Sequence, residues 1–392
     1  MGEVQELFWG WEHNGKLPTE SRVCGEQLVD DVNATGGQSI RQQLRKSWRL
    51  VLIVTLLRCS SEASVTCRDE NNGEVDWFII YKAPKQAEKL TGLEYFYTDS
   101  ARRSEYIVDS KAKKTKFIND PEGVLANTLR PLFVPVRKMR ENFGFISYSD
   151  QPPGSQSHDV FGHSKGVVMV EKANTGVWLL HTTFEQIGTH LLDIRAFAFD
   201  HDVPLDFHDT LQQVVRWEQI TPPLPPCANF KELTSRGGQK FYSIAKNVAA
   251  GVKPGTKRPI NHGDGDLYVT IAHDSKVQGD LAVQTWGCQR ERAKSFCGDK
   301  YKVYNIGSIA TGMGSWKPTS DHSKWCVTTD RGKVWTCIAD VNRSKSQFER
   351  RGGALCINNK DITETFRSFV ASKEDCSVAV THDAECEDAD DD

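Results

Sequence analysis

The chain has 392 residues, is 38% hydrophobic and 26% charged, and carries a formal charge of −3. That size allows one large domain or two fused halves, and the near-neutral balance argues against a strongly basic nucleic-acid-binding protein. Two features temper the charge argument: an acidic carboxyl-terminal tail skews the balance, and protonating the 11 histidines would make the chain markedly cationic in an acidic compartment.

Residues 1–45 are polar and mixed in charge, and read as a disordered or spuriously joined extension. Arg45-Lys46-Ser47-Trp48-Arg49 then flanks the apolar run Leu50–Leu57, with small Ser61 and Ala63 behind it. This is the anatomy of a secretory signal over 46–63, displaced from the chain start; a buried strand or helix is the competing reading. The run is short for a bilayer span. A compact domain is expected over 64–376. Val75–Lys82 reads as a strand, and the basic stretch Ser100–Lys116 as an exposed arm. Asn119-Asp120-Pro121-Glu122-Gly123 is a turn into an amphipathic helix through Leu125, Leu129 and Leu132. Phe143–Tyr148 is a strand. Farther on, Leu211–Val215 and Phe241–Ala250 read as helices, Leu267–Ala272 as a strand, Arg350–Gly353 as a turn, and Phe366–Ala371 as a final helix. Residues 377–392 form the acidic, disordered tail. Strands with helices between them imply an α+β or α/β layered sandwich.

The chain has 11 cysteines, most of them late and none in Cys-x-x-Cys knuckles. That argues against zinc and for a disulfide-bonded secretory or lysosomal protein. Asn33-Ala34-Thr35 and Asn342-Arg343-Ser344 have the form of glycosylation sequons.

The informative pattern occurs twice. Gly162-His163-Ser164-Lys165 precedes the run Gly166–Glu171, a short turn and the strand Val177–His181. Asp321-His322-Ser323-Lys324 precedes Trp325–Asp330, a short turn and the strand Val334–Ile338. Each motif lysine is followed six places later by an acidic residue, Glu171 or Asp330. Residues i and i+2 of a strand share a face, so His163 projects with Lys165 and His322 with Lys324. Two such hairpins facing each other converge two imidazoles and two ammonium groups on one cleft. That set suits phosphodiester cleavage: one imidazole attacks phosphorus, one protonates the leaving oxygen, and the lysines neutralise the non-bridging oxygens. A lone His-x-Lys says little; the duplicated layout says more. Two unrelated surface hairpins are the alternative.

Val75-Asp76-Trp77-Phe78, Asn119–Gly123, Asp150-Gln151-Pro152-Pro153, Gly162–Gly166, Asp321–Cys326, Trp335-Thr336-Cys337 and Gly352–Cys356 together resemble deoxyribonuclease II, from about Val65 to Cys376. The resemblance implies a lysosomal or secreted, acid-active, metal- and cofactor-independent endonuclease that cuts double-stranded DNA to 3′-phosphate ends, including DNA of engulfed apoptotic cells. It implies no stable membrane anchor and a phospholipase D-like fold with two half-sites in one pseudo-dimeric chain. His163, Lys165, His322 and Lys324 become the catalytic set, His181 and Asn342 phosphate contacts, and Cys337–Cys356 and Cys297–Cys376 disulfides. Two departures stand out: the amino-terminal extension, and a shortened segment after His181, where Phe184–Gly188 runs quickly into Phe199-Asp200-His201-Asp202. The second leaves Cys67 without its family partner, either free or paired elsewhere, with Cys227 one option. A phospholipase D-like enzyme for another diester, and a DNA-binding relative without turnover, are the alternatives.

Overall fold

Both His-x-Lys segments lead into the middle strand of a three-strand antiparallel unit. The structure, a computed structural model, describes residues 65–86, 89–108, 115–152, 155, 161–172, 176–178, 184–207, 209–217, 229–246, 265–298, 300–376 and 386. The extension, the signal-like segment, His181, Cys227 and all of the tail except Cys386 lie outside these.

After a short antiparallel pairing of Cys67–Arg68 with Glu74–Val75, a three-stranded antiparallel sheet follows: β1 (Phe78–Lys82), β2 (Tyr95–Asp99) and β3 (Ser104–Ile107). Helix α1 (Val124–Leu129) follows, and Arg130–Phe133 continues it as a 3-10 turn. Next is the first motif unit. Strand β5 (Lys165–Glu171) lies between β4 (Phe143–Ser149) and β6 (Gly176–Trp178), antiparallel to both. β5 carries the run Val167-Val168-Met169-Val170, buried throughout, as expected for a central strand covered on two faces. Gly166 is required there: a Cβ would strike the Tyr148 hydroxyl, which accepts the Trp178 indole N–H at 3.0 Å. Helix α2 (Phe184–Asp193) returns the chain to β7 (Ala198–Asp202) on the far side of β4, and α3 (Asp209–Val215) follows.

The remainder builds a sheet of ten strands among the described residues. Seven of its strands, with two helices, are β8 (Asn229–Thr234), β9 (Lys240–Lys246), helix α4 (Leu267–His273), β10 (Leu281–Gln284), β11 (Lys302–Thr311), β12 (Trp325–Thr328), β13 (Trp335–Ala339), β14 (Gly352–Asn358) and helix α5 (Lys360–Phe369); Phe296–Cys297, Gly314–Trp316 and Val370–Lys373 complete the ten. In space β12 lies between β10 and β13, antiparallel to both. The second motif unit therefore repeats the strand pattern of the first. β14 and β9 extend this sheet, and only the β10–β11 contact is parallel among the paired strands described. α5 contributes Phe366 and Phe369 to an aromatic core with Trp77, Tyr81, Trp316 and Trp325. Among the described residues three disulfides are formed: Cys337–Cys356 and Cys297–Cys376, the two that the resemblance implied, and Cys288–Cys386. Among the described residues no helix is long and apolar enough to cross a membrane.

The result is a mixed α and β chain with several sheets and few helices. Four local expectations need correction. The described part of the helix expected over Phe241–Ala250 is not helical; Lys240–Lys246 is a strand held on both edges, by Asn229–Thr234 and Gly352–Asn358. Leu267–Ala272 is not a strand but helix α4, started by the Asp266 carboxylate accepting from the Tyr268 amide at 2.9 Å. Short apolar runs give no usable periodicity, and both misassignments fall on such runs. Val75–Lys82 is broken at Asp76 and Trp77. The final helix starts earlier than Phe366, at an Asn359 cap, and ends at Phe369 before a short strand.

Candidate active site

The two motif loops are fixed in different ways. In the second, Asp321 acts as a buried anchor. Its carboxylate accepts from the Tyr81 hydroxyl at 2.6 Å, the Trp316 indole at 2.9 Å and the Ser323 amide at 2.8 Å. Its carbonyl accepts from Gln284 Nε2 at 3.0 Å. Burial and then the Asp321 charge push the Tyr81 phenol well above its ordinary value. The first motif has Gly162 where the second has Asp321. A Cβ at Gly162 would run into the Ile194 carbonyl. Here backbone replaces side chain: the Gly162 amide donates to the Arg195 carbonyl and the His163 amide to the Arg351 carbonyl, each at 3.0 Å.

His163 is thus held by residues more than a hundred positions away. Its Nδ1 lies 3.0 Å from the Asp340 carbonyl, at the end of β13 in the other motif unit. A carbonyl only accepts, so Nδ1 carries the hydrogen and Nε2 of the neutral ring keeps its lone pair. Burial, then the Lys165 ammonium, hold this imidazole well below its ordinary range, against the pull of Asp150.

Lys165 Nζ sits 2.7 Å from Asp150 Oδ1, and Arg350 Nη2 sits 2.9 Å from Asp150 Oδ2. Lys324 Nζ donates to the His322 carbonyl at 2.8 Å. Burial, then Lys165, push the Lys324 ammonium down to about 8, so the two motif lysines act on each other across the units. Burial, then Lys324, push His322 down to about 4. Its ring stacks on Trp286, with centroids 4.4 Å apart and planes 23° apart. The Asp340 carboxyl accepts from the Gly353 amide at 3.0 Å. Burial pushes it up to about 7, against that bond and the pull of Lys165 and Lys324.

The structure therefore gathers His163, Lys165 and Lys324 into one electrostatic neighbourhood, with His322 joined to it through Lys324. Asn342 is only 5% exposed. Its Oδ1 accepts from the Trp286 amide at 3.2 Å, and its Nδ2 makes no hydrogen bond among the described residues. His181 lies outside the described residues. Several neighbours escaped the sequence reading: Asp150, Asp340, Arg350 and Trp286. In the sequence Asp150 stands out only within a stretch that resembles deoxyribonuclease II, and Arg350 only as part of a turn. Lys246 was also missed; its buried ammonium holds the 347–350 loop through the carbonyls of Gln347, Phe348 and Arg350, at 2.8, 2.7 and 2.8 Å. A separate polar cavity of about 540 Å³, bordered by Asp76, Asp99, Arg102, Gln239 and Asp361, contains none of the motif residues. Among the described residues no three His, Cys, Asp or Glu side chains converge as a metal site.

The chain is similar to known proteins over most of its length. The family profile for deoxyribonuclease II matches in two blocks, residues 66–184 and 182–376. The blocks meet where the segment after His181 reads as short. Deoxyribonuclease-2-beta of Homo sapiens is 29% identical over 376 residues, covering 85% of this chain and 97% of that protein. Deoxyribonuclease-2-alpha of Mus musculus is 27% identical over 374 residues, covering 84% and 98%. Plancitoxin-1 of Acanthaster planci is 27% identical over 369 residues, covering 83% and 96%. The chain belongs to the deoxyribonuclease II family and is a hydrolase of its endonuclease type.

Proposed function

We propose that this protein is an acid endodeoxyribonuclease that cuts double-stranded DNA to 3′-phosphate ends with two histidines and two lysines. The observation that carries the reading is the His163–Asp340 contact, which leaves a neutral imidazole with a free Nε2 beside Lys165 and Lys324. In the first step His163 Nε2 attacks phosphorus, the P–O5′ bond breaks, and His322 gives its proton to the leaving oxygen. In the second, His322 takes a proton from water, the water oxygen attacks phosphorus, and the N–P bond breaks. Lys165 and Lys324 supply the positive charge that the pentacoordinate oxygens need, a role metal ions fill in other nucleases.

The acid dependence follows from His322. In the free protein it is protonated only near and below about 4, and an arriving phosphate raises that value by placing an anion beside it. The repeated strand–motif–return strand unit supports a phospholipase D-like pseudo-dimeric architecture. The three disulfides among the described residues favour an oxidising, secretory or lysosomal setting, where DNA of engulfed cells is the natural substrate.

Plasmid nicking at about pH 5 in EDTA tests the mechanism. Wild-type protein is expected to nick, and His163→Ala and His322→Ala each to lose activity by orders of magnitude. Undiminished activity in either variant, or a strict need for a divalent ion, defeats it. Turnover of phosphatidylcholine in place of DNA favours the lipid-diester alternative, and DNA binding without cleavage favours a relative lacking turnover.

A further inference from the structure

Beside His163 the chain assembles aromatic and cationic side chains that the two-histidine chemistry does not use. Phe161 directly precedes the motif. Its ring centroid lies 4.7 Å from that of Phe197, and Phe197 stacks on Trp217 at 5.1 Å with planes 24° apart. The Arg195 guanidinium lies 5.1 Å from the Phe161 centroid. Trp217 is 48% exposed, and its indole N–H is tied to the Ala198 carbonyl at 3.2 Å. Arg195 and Trp217 both adopt a φ of 54°, a conformation that bulky residues rarely take. Packing that holds such backbone in place is concentrated at functional sites.

The second observation concerns charge. The carbonyls of Arg195 and Arg351 accept from the consecutive amides of Gly162 and His163, so both arginines are placed by the motif backbone itself. Among the described residues neither guanidinium forms an ion pair. Asp193, the carboxylate nearest in effect to Arg351, pairs with Lys231 at 3.3 Å. Arg195 Nε is buried without a hydrogen-bond partner. The two guanidiniums act on each other, Asp193 offsets that repulsion at Arg351 only from beyond ion-pair distance, and Arg195 keeps an orphaned buried donor. An exposed indole beside them offers a face for a flat ring.

We propose that Arg195, Arg351 and Trp217 form a flanking-nucleotide subsite: the guanidiniums bind the phosphodiester next to the one cut, and Trp217 stacks the nucleobase attached to it. The inference rests on the reading of His163 as a DNA-cleaving group. It gives the molecule a grip on a polynucleotide that a lone diester cannot engage.

The test compares plasmid DNA with bis(4-nitrophenyl) phosphate, which carries one diester and no neighbour, at about pH 5 in EDTA. The variants are Arg195→Gln, Arg351→Gln, their combination, Trp217→Ala and Trp217→Phe, with the exposed Arg331→Gln as a charge control. The DNA-to-diester ratio of kcat/KM is expected to fall roughly tenfold or more in the double variant. The slope of log KM for DNA against log salt should fall by about one. Trp217→Ala should lower the same ratio roughly tenfold, and Trp217→Phe should restore most of it. Ratios matching those of Arg331→Gln, or equal losses on both substrates, overturn the subsite and leave the histidine chemistry standing. Wild-type protein that cuts neither substrate overturns the site reading and this subsite with it.

Discussion

The Asp150 carboxylate holds the Lys165 ammonium at 2.7 Å and, through its other oxygen, the Arg350 guanidinium of the opposite motif unit at 2.9 Å. Asp150 has no exposed surface. Burial alone would raise its pKa, but His163, Lys165 and Arg350 hold it below the ordinary carboxylate value. Its stabilising contribution is therefore present above that ordinary value and lost only as pH falls through the lowered one, so the anchor survives mild acidity. Asp150→Asn keeps the shape and removes the charge shared by two cations. The expected cost is about 3 kcal/mol, read by urea unfolding. Turnover of DNA should fall more than affinity, because Lys165 loses its fixed position. Wild-type stability together with wild-type turnover would show that the bridge is incidental.

Asp340 shows the opposite shift. Burial pushes its carboxyl up to about 7, so at pH 5 it is neutral and does not compete with phosphate for Lys165 and Lys324. The folded protein holds this proton where the unfolded chain has lost it. The contribution to stability is fully present below the unfolded carboxyl value and is lost as pH rises through about 7. Asp340→Asn removes that titration while leaving the backbone carbonyl that holds His163. The ratio of cleavage rate at pH 7 to that at pH 5 should rise roughly threefold or more. A ratio identical to wild type would mean that His322 alone sets the alkaline limb.

Part of this site was legible because the motif spacing is short-range, although His163 and the whole His322–Lys324 motif precede strands β5 and β12 instead of lying in them. His163 with Lys165, and His322 with Lys324, sit two residues apart, and each hairpin closes within a few residues. The groups that orient them are not local. Asp340 reaches His163 across 177 positions and Arg350 reaches Asp150 across 200, separations that one sequence does not encode in any spacing. The same limit explains the two reversed elements. Lys240–Lys246 is a strand because neighbours on both edges pair with it, and Leu267–His273 is a helix because Asp266 caps it and five of its residues are buried. Neither cause is visible in a seven-residue run.

Asn342 carried two incompatible readings, glycan acceptor and phosphate contact. Asn342, Arg343 and Ser344 are 5%, 1% and 0% exposed, and Arg343 Nε bonds Asp266 at 2.9 Å in the interior. A glycan has no room there. Mass spectrometry of protein from secreting cells should find the peptide containing Asn342 unmodified. A glycan on Asn342 would mean that this segment does not pack against Asp266 in the secreted protein.

Trp286 lies nearly parallel to the His322 ring at 4.4 Å. Its position is fixed at two points: the backbone amide on Asn342 Oδ1 at 3.2 Å, and the indole N–H on the Thr319 carbonyl at 3.0 Å. An aromatic face favours a charged ring over a neutral one, so Trp286 stabilises the imidazolium that the leaving oxygen requires, against the lowering by burial and Lys324. Such stacks contribute about 0.5–1.5 kcal/mol, and 1.36 kcal/mol corresponds to one pKa unit. Trp286→Ala should therefore move the alkaline limb of kcat/KM for DNA toward acid by up to roughly one pH unit. Trp286→Phe should recover part of the shift, because a phenyl face remains while the indole N–H anchor is gone. A purely structural role predicts lower activity with an unmoved limb. A limb that stays in place in Trp286→Ala therefore separates a wall from a group that tunes the acid.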